Sequence, residues 1–223
     1  MTDRVRAIYD EIAPQWDARQ GLVERTLMGE GMRRALAMEL RGSVLEIGTG
    51  TGATLPFAIE NPAITSFTGS DLSSGMLSQA RAKWAALASA RPDGQMPFPA
   101  TFTELDATAL PFPDAAFDSV TASLMLCTVP DPAQTLREMG RVCMPNGRII
   151  LLEHVRAPNP LLAGLQKVLS PLQERMLGCH LDRPTDRLVR DLGYRIEREE
   201  TRFFRVFHLI VARPHPPAKG TTT

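Results

Sequence analysis

The sequence is short of cysteine, of aromatic residues and of any surplus charge. Its three cysteines, Cys127, Cys143 and Cys179, are odd in number and widely spaced. That excludes a disulfide framework and fits a reducing, cytoplasmic setting. The 25 Lys and Arg are balanced by 25 Asp and Glu, and no basic stripe stands out. A nucleic-acid partner is therefore not expected, because such domains carry clustered positive charge. No apolar run approaches the ~20 residues that span a bilayer. The opening stretch, MTDRVRAIYDEIAPQWD, is charged from its third position and reads as neither signal peptide nor membrane anchor. Internal repeats are lacking. The tail from Arg213, RPHPPAKGTTT, is polar and rich in proline, so residues 213–223 are expected to be disordered. What remains, residues 1–212, has the length of one domain with a substantial core.

What is present is an alternation of helix and strand patterns. Residues 3–12 and 21–40 carry apolar positions at helical spacing, which predicts an N-terminal helical cap over 1–41. SVLEIG reads as a buried strand, Thr51 to Ile59 as a helix, and ITSFTGSDL as a second strand ending near Asp71. An Ala-rich helix follows over 74–90. TFTELD and FDSVTASLML supply two more strands, and MPNG turns the chain into a fifth, RIILLEHV. Asp131 before Pro132 marks a helix start that runs to about Cys143. YRIEREE and FFRVFHLIVA then follow too closely for a helix between them, so they pair as an antiparallel edge hairpin. The expected fold is a Rossmann-like α/β domain: a seven-stranded, mostly parallel sheet with helices on both faces.

Between the first strand and its helix lies GTGTGA, residues 48–53. Glycines at 48, 50 and 52 let the backbone turn tightly and approach a ligand, with a following helix N-terminus aimed at it. Gly48-x-Gly50-x-x-Ala53 satisfies a dinucleotide fingerprint. Gly48-x-Gly50-x-Gly52 equally satisfies the loop of a methyltransferase that uses S-adenosylmethionine. Asp71, about twenty residues on at a strand end, suits the ribose of either cofactor. Three features favour the second. Glu46 sits in the first strand just before the loop, placed to hold the loop or to reach the ligand's amino group through water. Asp106 closes the third strand, where it can accept from an adenine amino group. Two helices precede the first strand, whereas many dinucleotide domains begin with it.

LEIGTGTG, SDLSSGMLSQAR, LDATALPFPDAAFDSV and LREMGRVCMPNGRIILLEHV resemble the successive motifs of class I S-adenosylmethionine-dependent methyltransferases over roughly residues 5–210. Within that superfamily the chain is similar to the ubiquinone and menaquinone biosynthesis methyltransferases. It is more similar still to the alkyl thiol (methyltransferase-like-seven) family, through SLMLCTVPDPAQTLREM, LLEHVRAPNPLLAGLQKVLSPL and LGCHLDRPT. The resemblance implies that Gly48, Thr49, Gly50 and Gly52 line the methionine part of S-adenosylmethionine and that Asp71 binds its ribose. It implies that Leu72 and Met76 pack on adenine, that Asp106 and Ala107 meet the adenine edge, and that Ser123 and Leu124 lie by the sulfonium.

The cofactor carries an activated methyl group, so the protein must hold nucleophile, methyl carbon and leaving sulfur in line. His154, at the end of the fifth strand, is the candidate general base, and Tyr9 is placed to close over the cofactor. Cys127 reads as a small apolar filler of the pocket. Cys179, His180 and His154 lack the paired spacing of metal ligands, so no metal is expected. In residues 155–192, Leu161, Leu165, Val168, Leu169, Leu172 and Met176 share one helical face, which Pro171 should kink. That segment is expected to form a substrate lid, with peripheral membrane contact as the alternative. The expected acceptor is a small, fairly apolar or lipid-like molecule. A thiol is favoured by the resemblance, with a phospholipid amine or a quinone ring beside it. A nicotinamide-dependent oxidoreductase and a cofactor-sensing regulatory protein are the readings outside this class.

Overall fold

A computed structural model describes residues 2–28 and 30–214. The expectation of a disordered tail falls almost wholly outside the described residues. Its first residue, Arg213, belongs instead to the final strand, where its Nε bonds Glu197 at 2.5 Å.

The chain enters through α1 (Thr2–Ile12), a 3₁₀ turn (Ala13–Gln15), α2 (Trp16–Val23), a π-type turn (Glu24–Met28) and α3 (Glu30–Glu39). The single helix expected over 21–40 is thus broken at the π turn. β1 (Gly42–Ile47), α4 (Leu55–Ala58), β2 (Ile64–Asp71), α5 (Ser74–Ser89) and β3 (Ala100–Glu104) follow. Then come β4 (Phe117–Ser123), α6 (Pro132–Val142), β5 (Cys143–His154), α7 (Pro160–Leu177), α8 (Thr185–Asp191), β6 (Arg195–Arg202) and β7 (Phe207–Arg213). The seven strands form one sheet in the order β3-β2-β1-β4-β5-β7-β6. The first five run parallel, and β7 is antiparallel to both β5 and β6. The last strand of the chain therefore sits inside the sheet, and β6 takes the edge.

Alternation along the central strands explains why helices cover both faces. Val44, Ile150, Leu152, Leu209 and Val211 point into one core. Their neighbours Leu45, Ile149, Leu151, Ile210 and Ala212 point into the other. Successive strand residues face opposite sides, so an unbroken apolar run needs two covers. α3 closes the first core with Met32 and Leu36, and Leu40 just beyond it adds to that core; α6 closes the second with Leu136 and Met139. Each such fully buried side chain contributes roughly 1.5–3 kcal/mol.

Several expected boundaries move, each for a local reason. The helix expected over 51–59 is only α4, because Gly52 N–H bonds the Thr49 carbonyl and Leu55 N–H bonds that of Gly52, which extends the turn. The third strand stops at Glu104, before Asp106. The fourth stops at Ser123 because Leu124 adopts φ +53, a left-handed conformation no strand accommodates. The residues expected as a turn, Met144 to Gly147, are instead absorbed as an irregularity within β5, between the Phe117–Cys143 and Ser119–Arg148 pairings. The edge hairpin turns through Phe203, Phe204 and Arg205, all at positive φ, so β7 begins only at Phe207. α7 continues through Pro171 as one element.

Candidate active site

The strands β1, β2, β4 and β5 end together over a cavity of about 480 Å³. All the cofactor-binding and catalytic candidates from the sequence lie on its wall except Gly52. Gly52 is turned away: at φ +76, an added Cβ would lie 2.5 Å from Leu55 Cδ1. Its contribution is to close the turn.

The floor is the glycine loop. Gly48 has φ +66, and a Cβ there would lie 2.3 Å from Met125 Cγ. Gly50 has φ +55 but faces open space, with nothing within 4 Å of an added Cβ. The first glycine is thus required by packing and the second leaves room above the loop. Thr49 pins the loop twice. Its N–H donates to the Ser70 carbonyl at 2.8 Å, and its hydroxyl donates to Glu46 Oε2 at 2.6 Å. Glu46 is buried, and burial lifts its pKa above the usual carboxylate range despite the hydroxyl hydrogen bonds. Of the two sequence expectations for Glu46, the contact it makes here is the one that holds the loop.

Asp71 closes β2 and binds two backbone donors. Oδ2 accepts the Gly50 N–H at 2.9 Å and Oδ1 accepts the Ser73 N–H at 2.9 Å. Burial raises its pKa, and these donors offset part of that rise. Ser73 caps α5 by accepting the Met76 N–H, which seats buried Met76 beside Leu72 at the cavity wall. Asp106 is exposed, and its Oδ1 accepts the Thr108 N–H at 2.8 Å and the Thr108 hydroxyl at 2.7 Å. The helix N-terminus expected to face the ligand is not built: α4 starts at Leu55, and the loop itself faces the cavity.

The N-terminal helices form the roof, through contacts that no local pattern revealed. Asp10 Oδ1 accepts the Ser73 hydroxyl at 2.6 Å and the Gly75 N–H at 2.9 Å. Asp17 accepts the Thr51 hydroxyl and pairs with Lys83 at 2.7 Å. Tyr9 and Trp16 pack with ring centroids 5.3 Å apart, and both line the cavity. Burial pushes the Tyr9 phenol well above its usual pKa. Arg33 of α3 reaches the wall beside β4, where Nη1 donates to Ser123 Oγ at 3.0 Å. The signal for Asp10, Asp17 and Arg33 was only that acids and a base sit on amphipathic helices, which describes most surface helices.

The far end of the cavity is set by β5. His154 ends that strand with Nε2 3.2 Å from Cys179 Sγ. Burial alone would lower the imidazole pKa, but Cys179 and Glu153 outweigh it and hold His154 above its ordinary value. The Cys127 thiol, then His154, stabilise the Cys179 thiolate, bringing that group to about 5 against the opposing effect of burial. Glu153 is fully buried; its Oε1 accepts the Met125 and Leu126 N–H groups, each at 3.0 Å. That explains the abrupt end of β4: two would-be strand donors serve a carboxylate. Cys127 lines the cavity as expected, but its sulfur faces a second cysteine and a histidine. His180 turns away, 3.6 Å from Glu174.

α7 borders the mouth and is amphipathic in an unusual sense. It buries Ala163, Gln166 and Ser170. Gln166 holds the helix to the end of β5, donating to the Val155 carbonyl at 3.0 Å and accepting the Ala157 N–H at 2.7 Å. Leu161, Val168, Leu172 and Met176 face solvent. Leu165 and Leu169 are exposed at 53 % and 43 % and also line the cavity. Among the described residues no helix is long and apolar enough to cross a membrane.

A methyltransferase-domain family model matches residues 45–151, from β1 into β5. The phosphatidylethanolamine N-methyltransferase of Cereibacter sphaeroides is 34 % identical over 74 % of this chain and 77 % of its own length. The demethylmenaquinone methyltransferase of Deinococcus radiodurans is 37 % identical over 67 % of this chain. The ubiquinone/menaquinone biosynthesis C-methyltransferase of Geobacter sulfurreducens is 34 % identical over 68 % of it. The match spans 59 % and 58 % of those two proteins, less than two thirds of either. A SAM-dependent methyltransferase structure from Thermotoga maritima superposes with a TM-score of 0.65 at 19 % identity, covering 94 % of this chain and 99 % of that one. At that identity it speaks for the fold alone. Kinship follows from the phosphatidylethanolamine N-methyltransferase, matched along most of both chains: this chain belongs to the S-adenosylmethionine-dependent methyltransferases, with S-adenosylmethionine as methyl donor.

Proposed function

We propose that the chain methylates an amphiphilic, lipid-like acceptor, with an amine-bearing phospholipid as the first reading and a quinone ring as the second. One observation carries this: the apolar surface outside and the acceptor end inside are continuous. Leu165, Leu169, Phe203 and Leu27 are at once cavity wall and exposed surface. Solvated leucines along α7 extend that rim, with Phe204 beside it at 74 % exposed. A water-soluble acceptor needs no apolar apron, whereas an acceptor with acyl or prenyl tails does. The rim then rests on a lipid surface while the headgroup enters. The relatives reported above are named for a phospholipid amine and for quinones. The thiol acceptor favoured by sequence resemblance has no counterpart among them, so the proposal moves to lipids.

The chain's residues fit the donor. Gly50 opens onto free space, and Asp71 keeps acceptor capacity beyond its two backbone bonds. In this reading the loop from Gly48 to Gly50 runs along the methionine part and Asp71 takes the ribose hydroxyls. Leu72 and Met76 lie under adenine, with Asp106 and Ala107 at its edge. Ser123 and Leu124 separate donor from acceptor. S-adenosylmethionine supplies an activated methyl group, so the protein's task is placement and exclusion of water. Tyr9 and Trp16 roof the donor, and α7 covers the acceptor as a lid. His154 faces the acceptor end with Nε2 3.2 Å from Cys179 Sγ, so in this reading it acts by position rather than as a free base.

The test is methyl transfer from labelled S-adenosylmethionine to phosphatidylethanolamine vesicles, a demethylmenaquinol and small thiols in parallel. Label in phosphatidyl-N-methylethanolamine supports the first reading, and label on the ring supports the second. Label confined to thiols overturns both.

A further inference from the structure

We infer that Cys127, His154 and Cys179 form a three-ligand site for a zinc-class divalent cation, its fourth position open to the acceptor cavity. The two sulfurs and a ring nitrogen of His154 all lie within 4.8 Å of one another. Tetrahedral zinc, with bonds of about 2.3 Å to sulfur and 2.0–2.1 Å to nitrogen, needs ligand atoms roughly 3.4–3.8 Å apart. The His154–Cys179 edge is 3.2 Å, a few tenths below that range, and the edges to Cys127 are no longer than 4.8 Å, so side-chain shifts of about 1 Å or less bring the three atoms to zinc spacing. Two sulfurs and an imidazole suit zinc and related soft or borderline ions, and they do not suit calcium or magnesium, which take oxygen.

The ligands come from three separate elements held in register by other bonds. Cys127 lies in the turn after β4, His154 ends β5, and Cys179 follows the left-handed Gly178 that caps α7. The His180 N–H donates to the Cys127 carbonyl at 3.0 Å, joining the two cysteine segments directly. Arg183 Nη1 donates to the Leu126 and Val129 carbonyls, each at 2.7 Å, and clamps the Cys127 turn from both sides. Gln166 fixes α7 to β5 and to the Leu181 carbonyl. The convergence is thus built by the fold, as a preorganised site requires. Beside His154, Glu153 is fully buried with Oε2 lacking a hydrogen-bond partner.

All three ligands line the cavity. Three protein ligands with an open position is the arrangement of catalytic rather than structural zinc. The open position would take a sulfur or oxygen donor of a ligand in the cavity, whose proton is released to solvent as the anion binds. This inference goes beyond the lipid reading and does not depend on it, because the ion's presence is read without any acceptor.

The experiment is metal analysis of the full chain purified without chelator, followed by replacement with cobalt(II) and absorption spectroscopy. One zinc per chain is expected to survive desalting, and the cobalt form should show a thiolate-to-cobalt charge-transfer band. Cys127→Ser, Cys179→Ser and His154→Gln should each weaken retention against a competing chelator by about 10-fold or more. Cys143→Ser should change nothing, since Cys143 lies in the core beneath α6, away from the cavity. Should a ligand variant fail to fold, the unmutated chain still decides: zinc should slow alkylation of Cys127 and Cys179 by a small iodoacetamide, read by mass. Absence of stoichiometric metal after zinc addition would overturn the inference. So would a cobalt spectrum without the thiolate band, or a Cys127–Cys179 disulfide in the intact protein.

Discussion

Asp10 accepts the Ser73 hydroxyl at 2.6 Å across 63 residues of sequence, tying the first helix of the roof to the cap of α5. The same oxygen takes the Gly75 N–H. Asp10→Ala removes two hydrogen bonds to a carboxylate, each worth about 1.5–3 kcal/mol at most. The variant should stay folded at the sheet but exchange amide hydrogens faster across α1, and should bind S-adenosylhomocysteine more weakly. Unchanged exchange in α1 would mean that the roof is held without this contact.

Asp71→Asn should reduce S-adenosylhomocysteine affinity by roughly 10-fold or more, the worth of a lost charged hydrogen bond. The pH dependence has a definite sign. Burial holds the Asp71 pKa above its ordinary value, so the carboxylate protonates earlier on acidification than an exposed aspartate does. Donor affinity should fall as pH drops through that raised pKa, and the asparagine variant should lose this limb. Calorimetric titrations of both proteins across the acid range check it.

Glu138 and Arg141 brace the loop that carries Asp106. Arg141 Nη2 lies 2.7 Å from Glu138 Oε2 and donates to the Leu110 carbonyl at 2.9 Å, while Glu138 accepts the Leu110 N–H at 2.8 Å. Arg141 is the main cause of the lowered Glu138 pKa. The stability from this pair is therefore full above the unfolded carboxylate pKa and is lost as pH falls through the lowered folded value. Glu138→Gln should cost about 1–3 kcal/mol at neutral pH and should flatten the acid side of the stability profile. Denaturant midpoints at several pH values measure both.

The apolar rim should matter for the acceptor and for little else. Leu161→Asp with Val168→Asp alters two residues exposed at 84 % and 75 %, so stability should move by about 0.5 kcal/mol or less per site. Co-sedimentation with phospholipid vesicles should drop, while S-adenosylhomocysteine affinity stays constant. Leu165→Ala with Leu169→Ala, which thins the cavity wall as well, should raise the acceptor KM more than it alters donor affinity. If donor and acceptor constants move together, α7 is part of the core rather than a lid.

Some of this molecule was legible in its sequence because the forces involved are local. The alternation of strands and helices follows from apolar runs such as SVLEIG and RIILLEHV, which must be covered on two faces. The glycine loop was recognisable because Gly48 and Gly50 occupy backbone conformations that other residues adopt at a cost. Asp71 was recognisable by its position at a strand end. Boundaries were less so: β4 ends at Ser123 because Leu124 turns left-handed and Glu153, in a different strand, takes the Met125 and Leu126 N–H groups that follow.

Tertiary structure alone decided the rest. Nothing local in Asp10, Asp17 or Arg33 separates them from surface charges; their partners lie at Ser73, Thr51 and Ser123. Helical periodicity found the leucine face of α7 but could not say which way it turns. Gln166 and Ser170 decide that by bonding inward, since buried polar groups demand partners whereas exposed leucines only lose the gain of burial. Cys127, His154 and Cys179 lack any motif spacing, and the order of the sheet converges them. β4 and β5 pair in parallel, so their carboxyl ends lie side by side, and the segment after α7 returns the third ligand to them. The sequence specifies which elements form, because that depends on neighbours in the chain; which side chains meet depends on the path between elements, which only the packed fold determines.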